Sequence, residues 1–543
     1  MHRSALIGLC VLLPAATSYS DSYRLYDSAI LPNVQSDFQL TPDGTRAVLN
    51  SSIGLFSVPV SSGTLKKLNL QLGSVIGFQI APNSQRLVYL DNEANGASDE
   101  LFATSITGGP IVKLNDPLPS PLDIRQTDYA ITPNSQHVIY KASTSQNSRA
   151  LYSTSLGGGT PIVLNMPLDG FTVGNSAPYP PFYISPDSST VLYDVRPNNT
   201  PSDLPYAVVS SPVTGGPSTT LSEPGFVNYY NGLRLTPDGQ TAIYGVFVSN
   251  THGELYKAPV SGGPSTLLTS PSEAGQVWFE DYLISPDSST LIYRGRAGQA
   301  EPDELFRVSL NGGEPVRLND PSAGAVKAYN FELTHDGQTV LFVGNPQQEG
   351  SEQFAQLFSV PITGGVNTPL TPLMDLPDYK VSPDGKYLVY SSNHANASVV
   401  ELFSVPVAGG ETTKLNIPMI ADGAVRNFDF TPDGKTVVYT ATPNDLRVWE
   451  LFQVPIEGGA SIKLNDPLTP GSTIARNTPL KITPDGRRVV FQFFNGLNGR
   501  NELHAAVIVP EPSRAAVLFT LVALSSITSQ QRWRRKPFRP QCT

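Results

Sequence analysis

The sequence predicts an all-β chain, a β-propeller of about ten four-stranded blades, on three observations. One motif recurs about every fifty residues from 38 to 508, nearly every copy carries two kinds of tight turn, and the composition suits many short strands. The 543 residues include 45 Gly and 49 Pro, with 39% apolar but only 15% charged side chains. Tyr, Phe, Val and Leu recur throughout, which excludes a disordered chain, and a repeat array escapes the size limit on a single core.

Each unit runs in a fixed order: an apolar strand, a Pro-Asp-Gly-type turn, a Val/Tyr strand, a variable loop, a Leu-Phe-x-Val-Pro strand, a Gly-Gly turn and a short strand ending in Leu-Asn. The turn acids or amides are Asp43, Asn83, Asn134, Asp187, Asp238, Asp287, Asp336, Asp384, Asp433 and Asp485, separated by 40, 51, 53, 51, 49, 49, 48, 49 and 52 residues. The short first interval comes from the abbreviated loop Asn50 to Gly54.

The first turn is a hairpin by its chemistry. In Thr431-Pro432-Asp433-Gly434 the proline presets the first dihedral, the aspartate bonds nearby backbone and the glycine takes the left-handed conformation that reverses the chain. Gly108-Gly109, Gly215-Gly216, Gly262-Gly263, Gly312-Gly313, Gly364-Gly365, Gly409-Gly410 and Gly458-Gly459 suit a second hairpin. Pro59, Pro259, Pro361, Pro406 and Pro455 end the third strand, where losing a ladder donor is tolerated.

The second strand is apolar on both faces, as in Thr436 to Tyr439 and Tyr387 to Tyr390. Such a sheet must be covered on both sides, and the body lacks amphipathic helical periodicity, so the sheets must cover one another around an axis. Residues Tyr23 to Ile30 precede the first turn and are placed to serve as the outer strand of the last blade, which would hide the terminal edges. One ring is favoured because no linker interrupts the spacing; two smaller rings are the alternative.

With their Ser/Thr-Pro-Asp-Gly turn followed by a Val-Tyr strand, the units resemble the WD-repeat-like, TolB-type propeller family over about nine tenths of the chain. The resemblance implies the fold but not the function, since such repeats serve peptidases, periplasmic translocation proteins and surface proteins alike.

Both ends read as address labels, giving a signal peptide at 1–20, propeller repeats at 21–508 and a sorting segment at 509–543. Arg3, the apolar stretch Ala5 to Leu13 and the small-residue region ending at Ser20 form a secretory signal, with cleavage expected near Ser18 or Ser20. Cys10 raises lipidation as an alternative, but Leu9 stands before it where a small residue is needed. At the other end come Val509, Pro510, Glu511, Pro512 and Ser513, an apolar run from Ala515 to about Thr528, and the basic cluster Arg532, Arg534, Arg535 and Lys536. This resembles the PEP-CTERM sorting signal of bacterial proteins, which implies processing by an exosortase and a body outside the cell, anchored or released. A plain single-pass anchor is the alternative; the apolar run is shorter than the roughly 20 residues a spanning helix needs.

The formal charge of −10 understates the acidity of the body, because Arg3, Arg514, Arg532, Arg534, Arg535, Lys536 and Arg539 all lie in the terminal segments. An acidic body without a basic stripe argues against nucleic-acid binding and leaves the C-terminal segment as the membrane contact. The two cysteines, Cys10 and Cys542, are terminal, so the body has no disulfide or thiolate chemistry, and no cofactor is expected.

The sequence contains no Gly-x-Ser-x-Gly elbow and no His-Glu-x-x-His, and its six histidines (His2, His137, His252, His335, His394, His504) are scattered. His335 stands in a turn in place of proline, a structural position. The segment Asp91 to Glu100 superficially resembles a calcium loop, but Phe102 occupies the twelfth position where an acid belongs. Glu100, Glu254, Glu304, Glu401, Glu450 and Glu502 precede or open the third strand in six units. They read either as a ring of carboxylates for cations or sugars, or as a repeated structural bond to the neighbouring strand; repetition favours the second.

The most variable segments, such as 345–356 and 391–399, gather on one rim and form the natural binding surface. The function expected is an exported, non-enzymatic propeller that binds glycan or protein through that rim. The competing readings are a secreted polysaccharide hydrolase or lyase using carboxylates in the channel, and a purely structural envelope component.

Overall fold

A computed structural model describes residues 22–509 except 28–30, 32–33, 71–74, 93–98, 116–123, 125–127, 146–147, 166–170, 175–181, 198–206, 223–231, 250–251, 270–275, 297–302, 321–324, 346–354, 375–377, 396–397 and 477. The signal peptide and Pro510, Glu511, Pro512 and Ser513 lie outside the described residues, as do most of the calcium-like loop and much of the variable segments. The regular elements among the described residues are all β-strands, arranged in ten antiparallel sheets of four or five strands.

Within a sheet the strands follow chain order, each paired antiparallel to the next. Blade 9 is representative, with strands Val425–Phe430, Thr436–Ala441, Glu450–Pro455 and Ile462–Lys463. The fourth blade has two short strands, Phe171–Val173 and Phe182–Ile184, both paired to Thr190–Pro197. The second strand of each blade is buried on both faces, which is why its sequence reads apolar without alternation; Thr436–Ala441 is buried at every position. Aromatic pairs stiffen the central ladder: Tyr89 stacks on Phe102 at 5.5 Å, Tyr293 on Phe306 at 5.6 Å and Tyr439 on Phe452 at 5.5 Å.

Ten hydrophobic clusters sit between neighbouring blades. One joins Val48 and Leu55 of blade 1 to Phe78 and Leu87 of blade 2, and the series proceeds blade by blade to Val438 and Leu451 of blade 9 against Val489 and Phe491 of blade 10. The tenth packs Val490 and Leu503 of blade 10 against Leu49 and Val58 of blade 1, so the blades form one ring and not two smaller ones.

Ring closure is made by the first strand among the described residues. Ser22–Arg24 pairs antiparallel with Arg500–Val507, with Ser22 opposite Ala506 and Arg24 opposite His504, and so supplies the outer strand of blade 10. Of the segment Tyr23 to Ile30 expected to do this, Tyr23 and Arg24 lie in the strand, Leu25 to Asp27 follow it, and 28–30 lie outside the described residues. The residues that follow complete the clasp: the Leu25 amide donates to the Leu503 carbonyl at 3.0 Å, and the Leu25 carbonyl accepts from Gly63 of blade 1 at 3.1 Å.

The unit-ending Leu-Asn also has a mechanical explanation. The Asn115 side-chain oxygen accepts from the Leu101 amide at 2.8 Å, and Asn69, Asn319, Asn416 and Asn465 do the same for Leu55, Leu305, Leu402 and Leu451. Each amide lies at the start of a third strand, where no ladder partner is available, so the side chain satisfies a donor that burial would otherwise penalise.

The chain direction sorts the connections. Both tight turns lie at one end of the blade, the turn face; the loops between second and third strands and the links to the next blade lie at the other, the loop face.

Candidate functional site at the channel mouth

On the turn face the ten turn acids and amides are occupied with structure. In blade 7 the Thr334 hydroxyl donates to Asp336 Oδ1 at 2.7 Å and the Gln338 amide donates to the same oxygen at 3.0 Å. Such bonds, with the hydroxyl the larger influence, hold Asp187, Asp238, Asp287, Asp336, Asp433 and Asp485 below the ordinary carboxylate range. For Asp43 and Asp384 burial is the largest single influence and opposes this, yet the summed hydrogen bonds outweigh it. Asn83 and Asn134 accept equivalent bonds, from the amides of Gln85 and Gln136.

These turns also link blade to blade. The Asp43 amide donates to Ser84 Oγ at 3.0 Å, Asn83 to Ser135 at 3.0 Å, Asn134 to Ser188 at 2.9 Å and Asp238 to Ser288 at 3.0 Å. Each of these serines holds the left-handed position of its turn, with φ between 59° and 62°.

The repeated glutamates are structural partners of the fourth strand. Glu100 pairs with Lys113, Glu304 with Arg317, Glu401 with Lys414 and Glu450 with Lys463, each thirteen residues on. In blade 10 the fourth strand comes from the opposite end of the chain, and Arg24 lies 3.6 Å from Glu502. Glu502 also accepts from Asn495 and Asn498 and meets His504 Nε2 at 3.0 Å. Glu254 has Leu267 at the equivalent place in the fourth strand and accepts from the Tyr256 hydroxyl at 2.6 Å. The six glutamates therefore do not form an open carboxylate ring.

The candidate site lies on the loop face where the first strands of blades 8, 9 and 10 begin. A cavity of about 560 Å³ there is lined by Lys380, Arg426, Arg476 and Lys481, by Asp378 and Asp429, and by Tyr379, Asn427, Phe428, Pro479 and Leu480. Three successive first strands share one cavity only at the inner side of the ring, which places it at the mouth of the central channel.

The middle residue of the first strand varies from blade to blade: Gln39, Gln79, Ala130, Tyr183, Arg234, Leu283, Glu332, Lys380, Asp429 and Lys481. In four blades, at Gln39, Gln79, Arg234 and Lys380, it donates to the next blade's backbone. Gln79 Nε2 bonds the Tyr129 carbonyl at 2.9 Å, Arg234 Nη1 the Tyr282 carbonyl at 2.8 Å and Lys380 Nζ the Phe428 carbonyl at 2.8 Å. Glu332 differs from these: its Oε1 is buried without a hydrogen-bond partner, and burial pushes its carboxyl above the ordinary range.

The cations of the mouth differ in how they are held. Lys380 is 3.3 Å from Asp429, a half-exposed pair worth little in stability. Arg426 and Arg476, from different blades, both lie 6.0 Å from the centre of the buried Trp449 ring. Asn427 fixes the segment that carries Arg476 by donating to the Arg476 and Thr478 carbonyls, each at 3.1 Å. Among the described residues no ion pair joins Arg426, Arg476 or Lys481 to an acid. None of these four cations stands out in the linear sequence; lining up the ten first strands would have shown Lys380 and Lys481 sharing one column.

No protein-family description matches the chain, and no curated protein matches it either. Among solved structures, it is similar to the putative TolB from Agrobacterium tumefaciens at 18% identity and TM-score 0.26, over 54% of this chain and 95% of that one. It is also similar to a eukaryotic initiation factor at 11% identity and TM-score 0.45, over 78% of this chain and 96% of that one. A tricorn protease aligns at 11% identity and TM-score 0.33, over 86% of this chain and 49% of that one. The architecture described above rests on the chain's own strand pairing.

Proposed function

We propose that the chain is an exported binding propeller, released or displayed through exosortase processing at its C-terminus, which takes a glycan or protein ligand on its loop face without turning it over. The observation that carries the reading is the channel mouth of blades 8 to 10, where Arg426, Arg476 and Lys481 line one cavity and, among the described residues, form no ion pair with an acid, on an otherwise acidic body. Export is supported by the leader at 1–20, and processing by the Val509 to Ser513 motif with its apolar run and basic end.

The purified body, applied to a glycan array and assayed for reducing-sugar release, should bind without turnover. Turnover would reject the reading, and silence in both would favour a purely structural envelope component. For the tail, Glu511→Ala in an exosortase-bearing host should leave a longer, membrane-retained product; unchanged length would reject processing.

A second reading, a polysaccharide hydrolase or lyase, draws on Glu332 alone. Burial raises its carboxyl above the ordinary range, the direction in which a general acid is tuned. Sugar release abolished by Glu332→Gln would establish it.

A further inference from the structure

We infer that the channel mouth seats an anionic group of an acidic polysaccharide, a uronate carboxylate or a sulfate ester, between the guanidinium groups of Arg426 and Arg476 with Lys481 beside them. The inference rests on the binding reading above and names its ligand class.

The case begins with charge placed against its own kind. Arg426 and Arg476 approach the same indole from two blades, and no acid among the described residues neutralises either. Both line one cavity, where cations without a counter-charge among the described residues repel, and an anion drawn into that cavity relieves the repulsion as it binds. The arrangement is maintained by neutral contacts: Trp449 packs in the core cluster between blades 9 and 10, and Asn427 grips the backbone carbonyls on either side of residue 477. A planar guanidinium presents paired donors that match carboxylate and sulfate oxygens. Of the two acids on the cavity wall, Asp429 accepts from the Phe430 amide at 3.1 Å and lies 3.3 Å from Lys380, and among the described residues neither it nor Asp378 forms an ion pair with these arginines.

The extent of the cluster selects among anions. The cations are confined to three of ten blades, while the body around them is acidic. A nucleic acid, with one charge per about 1.7 Å of duplex, would carry much of its charge onto repelling surface. A sugar chain with one anionic group per residue, and hydroxyls between, can place one charge in the mouth and lay neutral groups against Tyr379, Phe428 and Leu480.

The test is titration calorimetry on the full chain with polygalacturonate, dextran sulfate, dextran and polyglutamate. Expected is binding to polygalacturonate or dextran sulfate, the stronger of the two identifying the anionic group, no binding to dextran, and weakening as salt rises. Arg426→Gln with Arg476→Gln should weaken binding by at least about tenfold, since each lost charge-assisted contact is worth on the order of 1.5–3 kcal/mol. Because both arginines are exposed, the thermal midpoint should not move. Undiminished binding by the double variant would overturn the site. Preference for polyglutamate would overturn the ligand class. Binding of neutral glycans alone on the array would sink this inference while leaving the binding function standing, whereas absence of any ligand on the array and in the titrations would remove both.

Discussion

Gly44 of the first blade lies against Pro484 of the last: a Cβ built on Gly44 would stand 2.5 Å from the proline Cδ. Gly44 also has φ of 69°, so two constraints require glycine at the seam where the ring closes. Gly44→Ala should destabilise the protein by about 1–3 kcal/mol, read as a lower denaturant midpoint at unchanged slope. An unchanged midpoint would mean that the seam is not packed as described.

Ser84 solves the same problem with a side chain. Its φ of 61° is unfavourable for serine, but its hydroxyl accepts the Asp43 amide at 3.0 Å across the blade boundary. Ser84→Gly loses that bond and relaxes the backbone, so it should change stability by less than about 0.5 kcal/mol. Ser84→Ala loses the bond and keeps the strain, and should cost about 1–2 kcal/mol. Equal effects of the two, measured by urea unfolding, would contradict this division.

The Glu401 and Lys414 pair is lopsided, with the carboxylate side chain 10% exposed and the ammonium 45%. Removing the lysine leaves a buried charge without its partner, whereas removing the charge on the glutamate leaves a lysine free to turn to water. Lys414→Ala should therefore cost about 1–3 kcal/mol and Glu401→Gln less than about 1 kcal/mol, in that order by thermal or chemical unfolding.

The turn aspartates make the fold acid-sensitive in a defined direction. Their folded pKa values lie below the ordinary value of 3.8, so the stability they contribute is complete above that value and is lost as pH falls through the depressed folded values. Chemical unfolding followed from pH 5 downward should show the midpoint falling only below about pH 4. Asp238→Asn should keep the turn, as Asn83 and Asn134 do, and remove its share of the acid response. A variant with the same acid response as the parent would show that Asp238 does not titrate as described.

The ring was legible in the sequence because its signals are local and repeated. The turn at Thr431 to Gly434, the Gly-Gly hairpins and the doubly apolar second strand each encode one backbone event, and their repetition along the chain makes the pattern audible above single-site noise. The glutamate pairs were legible in principle, since Glu100 and Lys113, Glu401 and Lys414, and Glu450 and Lys463 keep a constant spacing of thirteen. The channel mouth was not. Lys380, Arg426 and Arg476 lie nearly fifty residues apart on three blades, and only the curvature of the ring brings them to one cavity. His504, Glu502, Arg24 and Tyr26 gather in blade 10 for a similar reason, two of them arriving from the far end of the chain.

Of the described strands, Ser22–Arg24 is synthesised before all the others and its partner Arg500–Val507 after them. A nascent chain that has not reached Arg500–Val507 leaves Ser22–Arg24 without its strand partner, whatever the state of its finished blades. Completion is thus registered by a single late zippering event, which makes truncated translation products physically distinct from mature ones and easy prey for quality-control proteases.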